Sequence, residues 1–516
     1  MQEIADAASN ARTGDRRIAL LLGCASLLFF LPLQHGHFKG SDELGIFEMT
    51  RSLVERGDLA MPPVRHTAIG RDGRRYSYFA PGQAVLAMPL YALGRPLRAL
   101  LPTSVSAALA GPANRRGANR YGGELENLLV GLFAPLATAT LVALFFVFQR
   151  QLGVSRSTSA ILAALLATST HTTVMATYFL RHTTEALTLL GSLLCFHRYR
   201  MGGSLRTLAV GSILASGTLL IRVPASIAAP TLGAYLAFAL HARGDFRSGA
   251  RRLAPVLTAV LLPLGLALLT HALINQMKWG SWLISPMLEQ QSRMSTPLWR
   301  GMAGLLLSPG SSVVVYSPLL LLAPAGLIAL WHRRRAETLA LISLAATSLL
   351  FYSKFDGWSG LWSAPGPRYL YLLVPLLLLP LGLWLDGLET GSRARRGAWS
   401  AVAALAAVGF WVQFVSIFVR WGSVPTLAGY PVLGPDQSDF LFRIASSPVV
   451  VMTGLLFDGG PVDSWLVDLW RGWPGFAPRP GAVIGLLALW CSASLGCLWL
   501  LLRQLRGASS ARIVRA

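Results

Sequence analysis

Asp42 and Glu43 stand side by side just after the first long apolar run, in the stretch HGHFKGSDELGIFEMTRSLVERGDL. Acidic residues in the first turn of a helix offset its dipole, for roughly 0.3–1 kcal/mol. A carboxylate pair at a membrane edge has a second reading. Partial burial raises the pKa of one member and makes it a useful proton acceptor. Ser41 reads as an N-cap, and the residues after it have good helix propensity until Gly57 stops them. At 100° per residue Asp42 shares a stripe with Ile46, Met49 and Leu53, while Glu48, Ser52, Glu55 and Arg56 fall on the opposite face, expected to be wet.

The second chemical signal is arginine within apolar sequence. Arg222 sits in the tight hairpin Ile221-Arg222-Val223-Pro224, where an arginine is costly and points to function. Arg368, in Pro365-Gly366-Pro367-Arg368, opens a helix, where free backbone N–H groups favour an anion; interfacial snorkelling is the plainer reading. Glu185 and His182 lie three apart at the outer end of one span, so they share a face. Two ligands do not make a metal site, and a satisfied polar pair explains them as well. The same holds for His35 and His37 near Asp42.

The composition dictates what must position these groups. Of 516 residues, 53% are hydrophobic and only 13% charged, about half the share of a soluble domain. Mean hydropathy is +0.52. Fifteen Trp, 30 Pro and 50 Gly suit aromatic belts and broken membrane helices. Disorder, coiled coil, collagen and disulfide scaffolds are excluded. Lys+Arg of 45 against Asp+Glu of 23 gives a formal charge of +22, yet only Lys39, Lys278 and Lys354 are lysines, and the arginines cluster between apolar runs. That is the positive-inside pattern and not a nucleic-acid surface. Cys24, Cys195, Cys491 and Cys497 lie in apolar runs and read as small buried hydrophobes, with no disulfide or metal spacing.

Apolar runs at 18–33, 127–149, 157–178, 183–197, 206–221, 224–240, 253–275, 313–331, 337–352, 369–386, 398–419 and 482–502 give an all-α integral membrane protein of about twelve spans. Alternating from a cytoplasmic N-terminus, the clusters Arg198/Arg200/Arg206, Arg333/Arg334/Arg335, Arg393/Arg395/Arg396 and Arg503/Arg506 all fall on one side. Both termini are therefore expected in the cytoplasm, with the chain in the inner (plasma) membrane. The stretch 83–101, interrupted by Pro89, Arg95, Pro96 and Arg98, would invert every later cluster if it spanned, so it reads as an interfacial helix. The chain 1–516 is then a single polytopic domain whose long segments, 34–126, 276–312, 353–368 and 420–481, share the outer face. Loops that long usually carry function. The late one holds Asp436, Asp439, Asp458, Asp463 and Asp468, scattered acids of the kind that usually solvate a loop.

The run from Ser41 to Leu97 resembles the first periplasmic loop of GT-C superfamily glycosyltransferases, the protein O-mannosyltransferase and aminoarabinose transferase group. It has Asp42-Glu43 after the first span, Arg51 in the following helix, Gly57-Asp58-Leu59, Gly73 with Tyr76 and Tyr78, and Pro81-Gly82 before the interfacial helix. The stretch SKFDGWSGLWSAPGPRYLYLLVPLLLLPL (353–381) resembles the tryptophan-rich loop and Gly-Pro-Arg-Tyr helix start of bacterial members. These motifs cover about a fifth of the chain. Two departures leave the subfamily open. Tyr78 is followed by Phe79-Ala80-Pro81-Gly82 where aminoarabinose transferases carry Glu-Lys-Pro-Pro, and no soluble MIR-type domain follows the spans.

The resemblance implies inverting transfer of a sugar from a polyprenyl-phosphate donor to a glycan, lipid or protein acceptor at the extracytoplasmic face. It makes Asp42 the base and Glu43 its support, orienting the acceptor or binding a divalent cation such as Mg or Mn; no metal ligands are assigned. Arg368, Arg222 and Arg51 are then candidates for the lipid phosphate, whose oxygens suit the planar guanidinium. Arg51 lies 180° from Asp42 on the helix and reads equally as a surface charge. Tyr76 and Tyr78 could stack on a sugar or sit in the aromatic belt. Lys354 and Asp356 flank Trp358 and Trp362 in a loop that could line the cavity, or form a surface ion pair; Glu185 is a further candidate. A transporter or flippase would predict paired broken helices and mid-span charges, and neither pattern is visible. A polysaccharide polymerase or O-antigen ligase would place its large loop late in the chain.

Overall fold

The computed structural model describes residues 2–103, 125–247, 249–283, 294–361, 363–427, 430, 439–471 and 479–513. Trp362, Asp436 and the middle of the first loop lie outside the described residues. Among those described, seven helical stretches are long and apolar enough to cross a bilayer: Thr13–Leu33, Leu125–Leu152, Val223–Ala242, Leu253–Trp279, Arg335–Lys354, Arg393–Phe418 and Pro480–Leu505. The other five expected spans appear as shorter, broken or more polar helices. Arg181–Arg200 is full length but carries a polar outer turn, whereas Arg156–Thr168 and Leu205–Ile221 are short. Pro318 and Pro380 divide two more, because a proline supplies no N–H to the preceding turn.

The bundle's main core runs between the helices, from Phe145 and Phe146 through Leu189 and Leu190 to Leu376 and Leu379. Leu253–Trp279 and Pro480–Leu505 are scarcely buried, which is what lipid-facing helices require. Cys24 and Cys491 are exposed on this apolar surface and Cys195 is half-buried, so of the four cysteines only Cys497 is the buried hydrophobe expected.

The first loop builds the face that the arginine pattern assigns to the outside. The helix Ser41–Arg56 starts from Gly40, one residue earlier than the Ser41 cap expected, and ends at Gly57 with φ 68°. Gly40 serves because Glu43, at the third helical position, reaches back and accepts its N–H at 3.0 Å. Ile46, Met49, Phe38 and Phe79 form a second core beneath the loop. Glu48 and Ser52, expected on a wet face, are buried as well. A short antiparallel hairpin, β1 (Thr67–Ile69) with β2 (Arg75–Ser77), follows. The helix Gly82–Leu100 then packs against Ser41–Arg56, which covers the side left open by the periodicity argument. It contains Pro89 and Pro96, is not among the span-forming stretches, and docks through Gln83 to Phe179 and Thr184.

Candidate active site at the outer face

Asp42 is buried in the first turn of its helix. Its Oδ2 accepts from Arg368 Nη1 at 2.9 Å and from Ser363 Oγ at 3.2 Å, and its Oδ1 lies 3.1 Å from His66 Nε2. Three chain segments far apart in sequence thus meet on one carboxylate. Burial pushes this carboxyl up, but Arg368, His66 and the more distant Arg181 outweigh it and hold it well below the usual carboxylate range.

Backbone geometry fixes both partners. Arg368 opens a 3-10 turn after Pro367, and Gly366 precedes it with φ 89°, where a Cβ would lie 2.5 Å from His171. Gly360, with φ 67°, leaves room for the Arg368 stem, since a Cβ there would lie 2.9 Å from its Cγ. His66 is the one non-glycine residue in the left-handed region among those described, with φ 64°. Such a conformation is tolerated where surroundings over-determine it, often at functional sites.

Glu43 is differently employed. Its Oε2 accepts the N–H groups of Lys39 (2.8 Å) and Gly40 (3.0 Å), and its Oε1 that of Phe179 (2.7 Å). Burial lifts its pKa to about 7 against the pull of Lys39 and those donors. The side chain staples the helix start to the start of the Arg181–Arg200 helix. Lys39 itself lies over the Tyr178 ring, lowered by burial to about 8 despite Asp463 and Glu43.

Around Asp42 the cations outnumber the anions. Arg222 Nη1 is 2.8 Å from Glu185 Oε2 and donates to Tyr352 Oη at 2.6 Å. Tyr352 stacks on Tyr369 at 5.1 Å, and the guanidinium groups of Arg222 and Arg368 both lie over the Tyr369 ring. Arg181 lies over Phe79 at 3.8 Å, within electrostatic reach of Arg222, Asp42, Arg368 and Glu185. It has no hydrogen bond or ion pair with any described residue, though it is only 7% exposed. Both ring nitrogens of His182, beside it, are buried without a partner. Three guanidinium groups face two carboxylates here. The arrangement can hold one more anion.

The structure therefore brings together Asp42, Arg368, Arg222 and Glu185, and it does not bring the remaining candidates to them. Arg51 pairs with Glu55 at 3.2 Å and approaches Glu48 at 4.0 Å on a different face. Tyr76 donates to Asp72 at 2.6 Å, and both Tyr76 and Tyr78 pack near Trp279. The ion pair considered for Lys354 and Asp356 does not form: Asp356 accepts from the backbone and hydroxyl of Ser295 instead. Glu185 pairs with Arg222 and not with His182, because the hairpin at Val223 folds Arg222 back onto the helix. The late loop is more than solvent polarity: Asp463 is buried and lies 3.4 Å from His37, and Asp439 pairs with Arg300.

Arg181 and His66 escaped the sequence reading, while Ser363 and Tyr369 stood within the stretch 353–381 without a role of their own. An arginine flanking a span on the outer side is exceptional under the positive-inside pattern, a signal that marks Arg181 as it marks Arg222. Nothing local marks His66.

Among the described residues no three His, Cys, Asp or Glu side chains group together, and the Asp42 carboxylate is already neutralised by arginine.

No family model and no curated protein sequence matches the chain. Solved structures do. The crystal structure of ArnT from Cupriavidus metallidurans bound to undecaprenyl phosphate is similar at 15% identity, covering 96% of this chain and 79% of that one, with a TM-score of 0.50. Its apo form matches at 15% identity over 86% of this chain and 76% of that one, with a TM-score of 0.49. The archaeal oligosaccharyltransferase AglB from Archaeoglobus fulgidus matches at 13% identity over 84% of this chain and 60% of that one, with a TM-score of 0.46. The chain shares the fold of ArnT, the GT-C-like membrane bundle that its sequence leads one to expect.

Proposed function

We propose that this protein is an inverting glycosyltransferase of the membrane, moving a sugar from a polyprenyl-phosphate donor onto an acceptor hydroxyl at the extracytoplasmic face. One observation carries the reading: a buried aspartate paired with Arg368 lies beside a buried arginine, Arg181, that makes no hydrogen bond or ion pair with any described residue. The similarity to a structure holding undecaprenyl phosphate supports a lipid-linked phosphate as that anion. The arginine pattern supports a plasma-membrane location with both termini in the cytoplasm.

In this reading Arg181 and Arg368 take the donor's phosphate oxygens, with Arg222 held behind them by Glu185. Drawing Arg368 toward phosphate loosens its hold on Asp42, whose pKa then rises toward that of a useful base. Asp42 accepts the acceptor's hydroxyl proton as the new glycosidic bond forms. The bond from the anomeric carbon to the phosphate oxygen breaks, and the polyprenyl phosphate leaves with its charge met by arginine. Glu43 holds the helix start in place. No step requires a metal.

The test is transfer from radiolabelled polyprenyl-phosphate sugars in membranes carrying wild type, Asp42→Asn or Arg368→Ala. Label transfer by wild type, lost in both folded variants, is the expected result. Full activity of Asp42→Asn would remove the assigned base. Failure of wild type to consume any such donor would favour a transporter.

A further inference from the structure

The Arg181–Arg200 helix ends far from Asp42, about 26 Å from Arg181 to Arg198 at 1.5 Å per residue. At that end lies a cavity of about 740 Å³, lined among others by Asp15, Arg16, Arg150, His197, Arg198 and Thr207. Its size falls within the roughly 300–1,000 Å³ of ligand pockets. It belongs to the face that the arginine pattern assigns to the cytoplasm.

The charges in it are unbalanced. Asp15 is shared between Arg150 at 3.1 Å and Arg156 at 2.5 Å. Arg16 and Arg198 have no hydrogen bond or ion pair with any described residue, and they lie near enough to repel each other. The back wall is built rather than incidental. His197 is 1% exposed, and its Nδ1 is 2.8 Å from Glu337 Oε1. Glu337 is fixed in turn by Arg200 at 2.5 Å and Tyr235 at 3.1 Å. The rim is fixed too: Arg243 donates to the Gly203 carbonyl at 2.8 Å, and the Leu205–Ile221 helix starts there, capped by Ser204. Its first backbone N–H groups add to the positive field. Ordinary topogenic arginines need none of this. Arg396, on the same face, is simply exposed.

We infer that this cavity is a binding site for a phosphate ester, held by Arg16 and Arg198 against the His197 wall. An anionic phospholipid headgroup and a free phosphorylated solute share that chemistry. The site is separate from the outer one and does not depend on the function proposed for it.

The test uses the full chain purified in detergent. Retention of phosphatidylglycerol and of phosphatidylcholine is measured by native mass spectrometry for wild type, R16Q/R198Q and R396Q, with and without excess inorganic phosphate. Wild type is expected to keep phosphatidylglycerol over phosphatidylcholine. R16Q/R198Q should lower that retention roughly tenfold or more, as expected for lost charge-assisted contacts, with R396Q unchanged. Retention that inorganic phosphate leaves intact identifies the lipid as ligand. Displacement by phosphate identifies the phosphoryl group itself as what the site reads. Equal retention of both lipids, or equal loss in R16Q/R198Q and R396Q, overturns the proposal. Should the double variant fail to fold, R16Q alone, at an exposed position, decides it: unchanged retention overturns the site.

Discussion

Two buried charge clusters lie at opposite ends of this protein, each anchored on the Arg181–Arg200 helix. At the inner end Glu337 is met by His197, Arg200 and Tyr235, so one carboxylate has three donors. At the outer end Asp42 and Glu185 share their surroundings with Arg368, Arg222 and Arg181, and the last has no partner among the described residues. In the first cluster the one carboxylate is matched by the Arg200 guanidinium, so its charges close among themselves. The second carries an unsatisfied buried cation, which costs free energy unless a ligand supplies the counter-charge. Burial and charge alone do not mark a site. What separates the two clusters is whether the charges close among themselves.

The largest effect should fall on Asp42. Asp42→Asn keeps the shape and removes the proton acceptor, so sugar transfer should drop by about 10²- to 10⁴-fold with folding retained. The radiolabel assay reads this, and an unaffected rate would remove the catalytic role of the outer cluster. At the inner end, Glu337→Ala leaves Arg200 without its carboxylate and should cost roughly 3–5 kcal/mol of stability. Thermal unfolding measures that, and the donor KM of the protein that remains folded should stay unchanged.

A finer test is Arg181→Gln. Removing an unpaired cation relieves repulsion, so unfolding should shift little or upward, while the donor KM rises roughly 10- to 100-fold, the worth of a hydrogen bond to a charged group. A loss of stability at constant KM would make Arg181 a structural residue. The last test reads a slope, not a single variant's loss. Because burial lifts Glu43 from 4.5 to about 7, the folded chain keeps a proton that the unfolded chain releases, and stability should fall as pH rises through that window. Melting curves between those values should show the slope in wild type and lose it in Glu43→Gln. Asp42 contributes no loss there: its pKa is depressed, so its share of stability is present above the ordinary carboxylate range and lost only in strong acid.

Much of the architecture was legible in order of residues alone. Composition and the spacing of apolar runs determined a membrane bundle, and arginine parity kept Gly82–Leu100 out of the spans, because lipid imposes one rule on every crossing segment. The local pattern also put Asp42 on the stripe of Ile46 and Met49, and apolar context marked Arg222 and Arg368. It could not say that Arg368 closes on Asp42 across 326 positions. Nor could it show that Glu43 is consumed by three backbone N–H groups, or that Arg51 turns away to Glu55. His66 reaches Asp42 only because a left-handed residue turns the chain before β1. Periodicity fixes which face a residue occupies on its own element. Which charges are left unpaired depends on contacts between segments remote in the chain, and only the packed tertiary structure decides those.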